Sequence, residues 1–178
     1  ADQVNTFCGQ DTQYPHHERV LSCRSPSGEI QDQCNPVVTD GETVVDSNNQ
    51  LQWQRTFVAQ IAWQQALDYC ATLNYAGFDD WRLPAFHELA DLTSYDGDAP
   101  FIDTVAFPRT PPDDFWSSTQ YAQDDSVVFS ASYYNGAAPA ARKTSRLSAR
   151  CVRGTYHPVS APDRFQVTGN ADEEIATD

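Results

Sequence analysis

Cys70 and Cys151 stand 81 positions apart (151 − 70), and no other feature of the chain constrains its fold as tightly. Cys70 ends an amphipathic stretch, Ile61 to Cys70, in which Trp63, Ala66, Leu67, Cys70 and Leu73 recur at helical spacing. That period turns Cys70 toward a core. Cys151 lies in an alternating, strand-like run from Leu147 to Arg153. A bridge between them staples an early helix to a late strand and encloses everything between. In a chain-entropy model, closing a loop of about 80 residues stabilises a fold by roughly 4 kcal/mol. The competing reading of Cys70 is a small buried hydrophobe. No catalytic constellation of comparable definition accompanies this pair, so a binding module is expected before an enzyme.

Five cysteines fit an oxidising compartment, and their odd number leaves one thiol or one bridge to another chain. The expected location is secreted, periplasmic or cell-surface. A chain of 178 residues with four Trp, eight Tyr and nine Phe can bury a real core. Its net charge of −14 disfavours nucleic acid and anionic surfaces as general partners. No run approaches the roughly 20 apolar residues of a membrane span.

Three segments are expected. Residues 1–36 form a cysteine-containing N-terminal extension with Cys8, Cys23 and Cys34. Ser25-Pro26-Ser27-Gly28 marks a turn that favours Cys23–Cys34, while Cys8–Cys23 and Cys8–Cys34 stay open. Residues 37–155 form the compact domain, and 156–178 an acidic tail or the start of a further repeat. Within the domain, 43–46 and 51–54 read as a hairpin around Ser47-Asn48-Asn49. Gly77 is the expected stop of the first helix and Pro84 the opening of a second. A long Pro- and Asp-rich connection spans 94–114, followed by strands at 115–119, 126–134 and 147–153. The loop 135–145 separates the last two. This order reads as α+β, with two helices, a small twisted antiparallel sheet and long loops.

Hydrolase signatures are missing: no Gly-x-Ser-x-Gly elbow occurs, and His87-Glu88 meets Asp91 where a zinc-peptidase helix needs His. His16-His17-Glu18 reads as a surface turn. Asp96 and Asp98, with Asp113-Asp114, offer hard oxygen ligands in the long loop suited to calcium, against the plainer reading of solvated turns. A ligand surface is expected on the last strands. Tyr121, Tyr133 and Tyr134 supply rings for stacking, with Asp124, Asp125, Asn135, Arg142, Lys143 and Arg146 as polar partners. Strand alternation requires one of Tyr133 and Tyr134 to face inward. Trp63, Trp81 and Trp116 are expected in the core.

Several blocks, in order, carry a family likeness. They are Leu51-Gln52-Trp53-Gln54, Trp63 to Cys70, Ala76-Gly77-Phe78-Asp79-Asp80-Trp81-Arg82-Leu83-Pro84, Phe115-Trp116-Ser117-Ser118-Thr119 and Arg150-Cys151-Val152-Arg153-Gly154. Over about 40–154 the chain resembles the C-terminal domain family of the Legionella collagen-like adhesin (Lcl). The resemblance implies a C-type-lectin-like fold in a secreted or surface-anchored bacterial protein, with the helix-to-last-strand bridge falling on Cys70 and Cys151. It also implies adhesion or surface recognition of a glycan or protein, without catalysis. The adhesin's domain binds sulfated glycosaminoglycans as a trimer; here only Arg142, Lys143, Arg146 and Arg150 offer a local anionic-glycan patch. The calcium motifs of true C-type lectins are missing. So is the reactive cysteine pair of formylglycine-generating enzymes, which share the broader fold. The remaining alternatives are a structural subunit of a pilus or surface fibre, linked through Cys8, and a carbohydrate-active enzyme using loop carboxylates.

Overall fold

A computed structural model describes residues 21–31, 34, 42–95 and 97–157. Cys8, His16, His17, Asp96 and residues 158–178 lie outside the described residues. The elements run β1 (Leu21–Arg24), β2 (Ile30–Gln31), β3 (Thr43–Asp46), β4 (Leu51–Gln54), β5 (Val58–Ile61), α1 (Trp63–Ala71) and α2 (Phe86–Asp91). They continue with β6 (Asp114–Gln120), β7 (Val127–Ser132), β8 (Ala140–Arg142), β9 (Leu147–Ala149) and β10 (Val152–Arg153). The architecture is α+β, two helices with strands predominating. The strands form two five-stranded sheets rather than one, ordered β10-β4-β3-β1-β2 and β5-β9-β6-β7-β8. All pairings are antiparallel except β6 with β9, where Phe115 lies opposite Ser148 in parallel.

The expected hairpin forms as β3–β4, with Val44 opposite Trp53. Beyond it, β1 pairs antiparallel with β3, so residues 21–31 of the extension add two strands to this sheet. The local Cys23–Cys34 disulfide tethers that edge. The expected last strand, 147–153, is divided. Its first half pairs with β5 and β6 in one sheet, and its second half pairs with β4 in the other. The chain changes sheets at Arg150-Cys151, where both side chains are fully buried. At that crossing Cys151 bonds to Cys70 of α1, across 81 positions.

α1 ends earlier than Gly77. Thr72 caps it, its hydroxyl donating to Asp68 O at 2.8 Å. Gly77 instead takes φ +77° in the tight Tyr75–Phe78 turn, an angle glycine adopts without strain. Pro84 stands two residues ahead of α2, and its carbonyl accepts from the Ser118 N–H at 2.7 Å. Glu88 closes the start of α2, accepting from the Ala85 N–H at 2.7 Å.

The apolar residues form two clusters. One joins Trp63, Ala66, Cys70, Trp81, Trp116 and Cys151 around α1. The other joins Trp53, Leu89, Phe107, Phe115, Tyr133 and Val152 beneath the long connection. Two buried arginines fix that connection. Arg55 pairs with Glu42 and donates to Ala106 O and Val105 O, each at 3.0 Å. Arg150 donates to Arg55 O at 3.1 Å and Thr110 Oγ1 at 2.7 Å, and its guanidinium lies 4.3 Å from the Phe107 ring centre. Burial pushes Arg150 down to about 10, so it is still charged at neutral pH. A long irregular segment needs support of this kind. It receives it from backbone carbonyls gripped by charged donors and from the burial of Phe107.

Candidate recognition surface

At the end of β7 the two tyrosines separate. Tyr133 is fully buried, its ring 5.1 Å from Phe115, its hydroxyl donating to Leu89 O at 3.2 Å. Its backbone N–H donates to Asp113 O, and its carbonyl accepts from Phe101 N–H. Tyr133 is therefore removed from the expected ligand surface: every face of it is spent on the core. Its burial anchors the turn, so the next residue, Tyr134, projects outward at 64% exposure. Asn135-Gly136 then reverses the chain. Gly136 has φ +69°, Asn135 Oδ1 accepts from the Ala137 N–H, and Ser132 N–H donates to Ala137 O. A Cβ on Gly136 would come within 2.4 Å of the Tyr95 ring, whose hydroxyl donates to Gly136 O at 3.2 Å.

Beside this turn lies a groove of about 350 Å³, lined by Pro112, Asp113, Asp114, Ser132, Tyr134, Asn135, Ala137 and Pro139. The register places Asp114 directly opposite Ser132 and Phe115 opposite Ala131. Directly opposed residues share a face of a sheet. Phe115 and Ala131 take the buried side, so Asp114 and Ser132 share the other. Asp113 Oδ1 accepts from the Asp114 N–H at 2.9 Å.

The remaining expected ligand residues gather at the opposite end of the β7–β8 hairpin. Six residues of β7 span roughly 17 Å. Asp124 and Asp125 lie exposed in the turn before β7, and Arg142 at the end of β8 pairs with Val127. Asp124 Oδ1 accepts from the Ser126 N–H at 2.8 Å and its hydroxyl at 2.6 Å. Those bonds hold its carboxyl below the usual range, helped by Arg142 and Lys143. Tyr121 packs its ring 5.4 Å from Phe129, on the flank of the sheet. Lys143 Nζ lies 4.5 Å from the Trp63 ring centre, and Arg146 donates to Gln60 O at 3.0 Å. Arg150 does not join them. Its full burial excludes it from any anionic-glycan patch. The surface expected as one site is thus two: a tyrosine groove at the turn and a mixed-charge patch at the far end.

Asp98 lines a separate hollow of about 430 Å³ with Ser94, Pro100, Ile102, Asp103 and Thr104. Asp103 Oδ1 is engaged by the Val105 and Ala106 N–H groups. Among the described residues no group of three or more His, Cys, Asp or Glu converges on a metal position. A family model for the Lcl C-terminal domain matches residues 42–153. The chain belongs to this family. No curated protein gives a match.

The residues of the Lcl blocks tie the scaffold together. In Asp80-Trp81-Arg82-Leu83-Pro84, Arg82 forms a two-pronged pair with Glu88, at 2.7 and 2.6 Å. Glu88 is 2% exposed, and Arg82 also exchanges backbone hydrogen bonds with Val152. Asp80 pairs with Arg153 at 2.6 and 2.9 Å, and Arg153 lies 3.8 Å from the Phe78 ring centre. In the second block, Trp116 Nε1 donates to Ile61 O, and Trp63 Nε1 to Ser117 O, each at 2.8 Å. The expected tryptophans are core, Trp63 and Trp81 at 8% and 3% exposure. Sequence reasoning missed Tyr95, Pro112 and Ser132. Asp113 and Asp114 enter the sequence reading as candidate calcium ligands of the long loop. The available signal was Asn135-Gly136, a strong hairpin turn, which fixes the β7–β8 pairing.

Proposed function

We propose that this Lcl C-terminal domain is a non-catalytic recognition module with a C-type-lectin-like fold, serving adhesion or surface binding in a secreted, periplasmic or cell-surface setting. Its ligand is a glycan held at the hairpin turn. The observation that carries this reading is Tyr134: a large ring, mostly exposed, at the mouth of a groove and fixed by the buried Tyr133 beside it. A pre-positioned aromatic costs little entropy on binding, and its face stacks on the apolar face of a sugar. The setting is supported by two disulfides, which persist in oxidising compartments. No described helix is long and apolar enough to cross a membrane. Among the described residues, the groove's titratable side chains are Asp113, Asp114 and Tyr134.

A glycan array probed with the chain and with Tyr134→Ala tests this, run with and without chelator. The expected result is chelator-insensitive retention of a defined glycan set by the chain and its loss in the variant. Reducing-sugar release on the same glycans monitors turnover, expected at background. Retention unchanged in Tyr134→Ala, or steady product release, contradicts the proposal.

A further inference from the structure

We infer that the groove beside Tyr134 selects a sugar carrying a free amino group, an unacetylated hexosamine, with its ammonium seated between Asp114 and Ser132. The inference rests on the turn being the recognition surface and names the chemistry it selects.

Ser132 is 5% exposed, lines the groove, and its hydroxyl has no hydrogen-bond partner among the described residues. The hydroxyl opens onto the groove with its donor and its lone pairs uncommitted, so a bound group can engage it. Directly across the ladder stands Asp114, half-buried, its carboxylate likewise without a hydrogen-bond partner among the described residues. The pair offers an anionic acceptor and a hydroxyl side by side, an arrangement matched by an ammonium with its three donors. Asp113 adds a second carboxylate, and among the described residues the groove's lining contains no Lys, Arg or His to neutralise either. An anionic ligand is repelled there, whereas a cation also meets the electron-rich face of Tyr134. The chain's −14 charge reinforces that preference at long range.

A lysine side chain would satisfy the charge alone. The groove offers more. Asn135 uses Oδ1 on the turn and leaves its amide N–H groups exposed, and Tyr134 presents a flat face. Neutral hydrogen-bonding groups beside an aromatic face suit the hydroxyls and C–H face of a pyranose ring, whereas a four-carbon alkyl stem lies on the ring and leaves the hydrogen-bonding groups unused. The volume of about 350 Å³ lies at the small end of ligand sites, matching one or two sugar rings.

The test is calorimetry on the full 178-residue chain. The probes are a glucosamine trimer, the N-acetylglucosamine trimer and trilysine, with Asp114→Asn, Ser132→Ala and Tyr134→Ala as variants. The glucosamine trimer is expected to bind, and to weaken about tenfold or more on acetylation, in Asp114→Asn and in Ser132→Ala. Asp68→Asn, on the exposed side of α1, is expected to leave binding unchanged. Amide NMR spectra verify that each variant is folded. Equal affinity for the acetylated trimer, equal or tighter binding of trilysine, or insensitivity to Asp114→Asn overturns the inference. Tyr134-dependent binding of acetylated or neutral sugars would remove this inference yet keep the recognition surface. No Tyr134-dependent binding of any glycan would remove both.

Discussion

Replacing Cys70 and Cys151 together by alanine tests how much of the scaffold the long staple holds. The bridge closes a separation of 81 residues. The chain-entropy relation assigns such a loop about 4.5 kcal/mol at room temperature. Both sulfurs are fully buried where the chain changes sheets, so their removal adds a small cavity cost of about 1 kcal/mol. The expected loss is about 5 kcal/mol, comparable with the whole stability of many domains. The Cys23–Cys34 bridge closes only 11 residues, and the same relation gives it about 1.8 kcal/mol less. Urea unfolding followed by tryptophan emission is a suitable assay, because Trp53, Trp63, Trp81 and Trp116 are all buried. With a slope of about 2 kcal/mol per molar urea, the midpoint is expected to fall by about 2.5 M or the variant to be unfolded at the outset. A Cys8→Ser background prevents exchange with the odd thiol. A midpoint shift below about 0.5 M, or a larger loss from Cys23→Ala/Cys34→Ala, refutes the reasoning.

Arg82→Ala leaves the buried Glu88 carboxylate without its two-pronged partner, and is expected to cost about 3 kcal/mol, a fall in Tm of about 10 °C by calorimetry. Lysine at this position should recover little, since it cannot make both contacts. Gly136→Ala combines a positive φ with a collision against the Tyr95 ring; thermal melts are expected to show a loss of about 1–2 kcal/mol. Asp80 is held below the ordinary carboxylate range first by its hydrogen bond to Arg153, opposed by slight burial. Because the folded value is the lower one, its contribution is fully present above the unfolded value of about 3.9 and is lost as pH falls through the folded value. Carboxyl NMR titration should find its midpoint depressed, and Arg153→Gln should return it upward.

The parts legible in the sequence are those where one periodicity governs a whole element. The period of 3.6 from Trp63 to Cys70 locates α1 and turns Cys70 inward, and alternation at 51–54 locates β4, although Gln52 and Gln54 are buried as well rather than facing solvent. Elements made by tertiary pairing were not legible. β8 is Ala-Ala-Arg and β2 only Ile-Gln, too short and too plain to announce a strand. The run 147–153 alternates as one strand, yet its two halves join different sheets, because Arg150 turns inward to grip the backbone of 54–55. A positive charge at that place reads as surface until its carbonyl partners are seen. The same limit applied to the ligand residues. Sequence reasoning required one of Tyr133 and Tyr134 to be core, but the choice depends on Leu89 and Phe115, which are distant in sequence. Nothing in the sequence singles out Ser132, because its place on the groove depends on packing and register alone.

Amide chemical-shift mapping of the strongest array ligand on the labelled chain tests the central claim most directly. Shifts concentrated in residues 112–114 and 132–139, abolished in Tyr134→Ala, are the predicted result. Shifts concentrated instead at 121–126 and 142–146, seventeen or so ångströms away along β7, would contradict it.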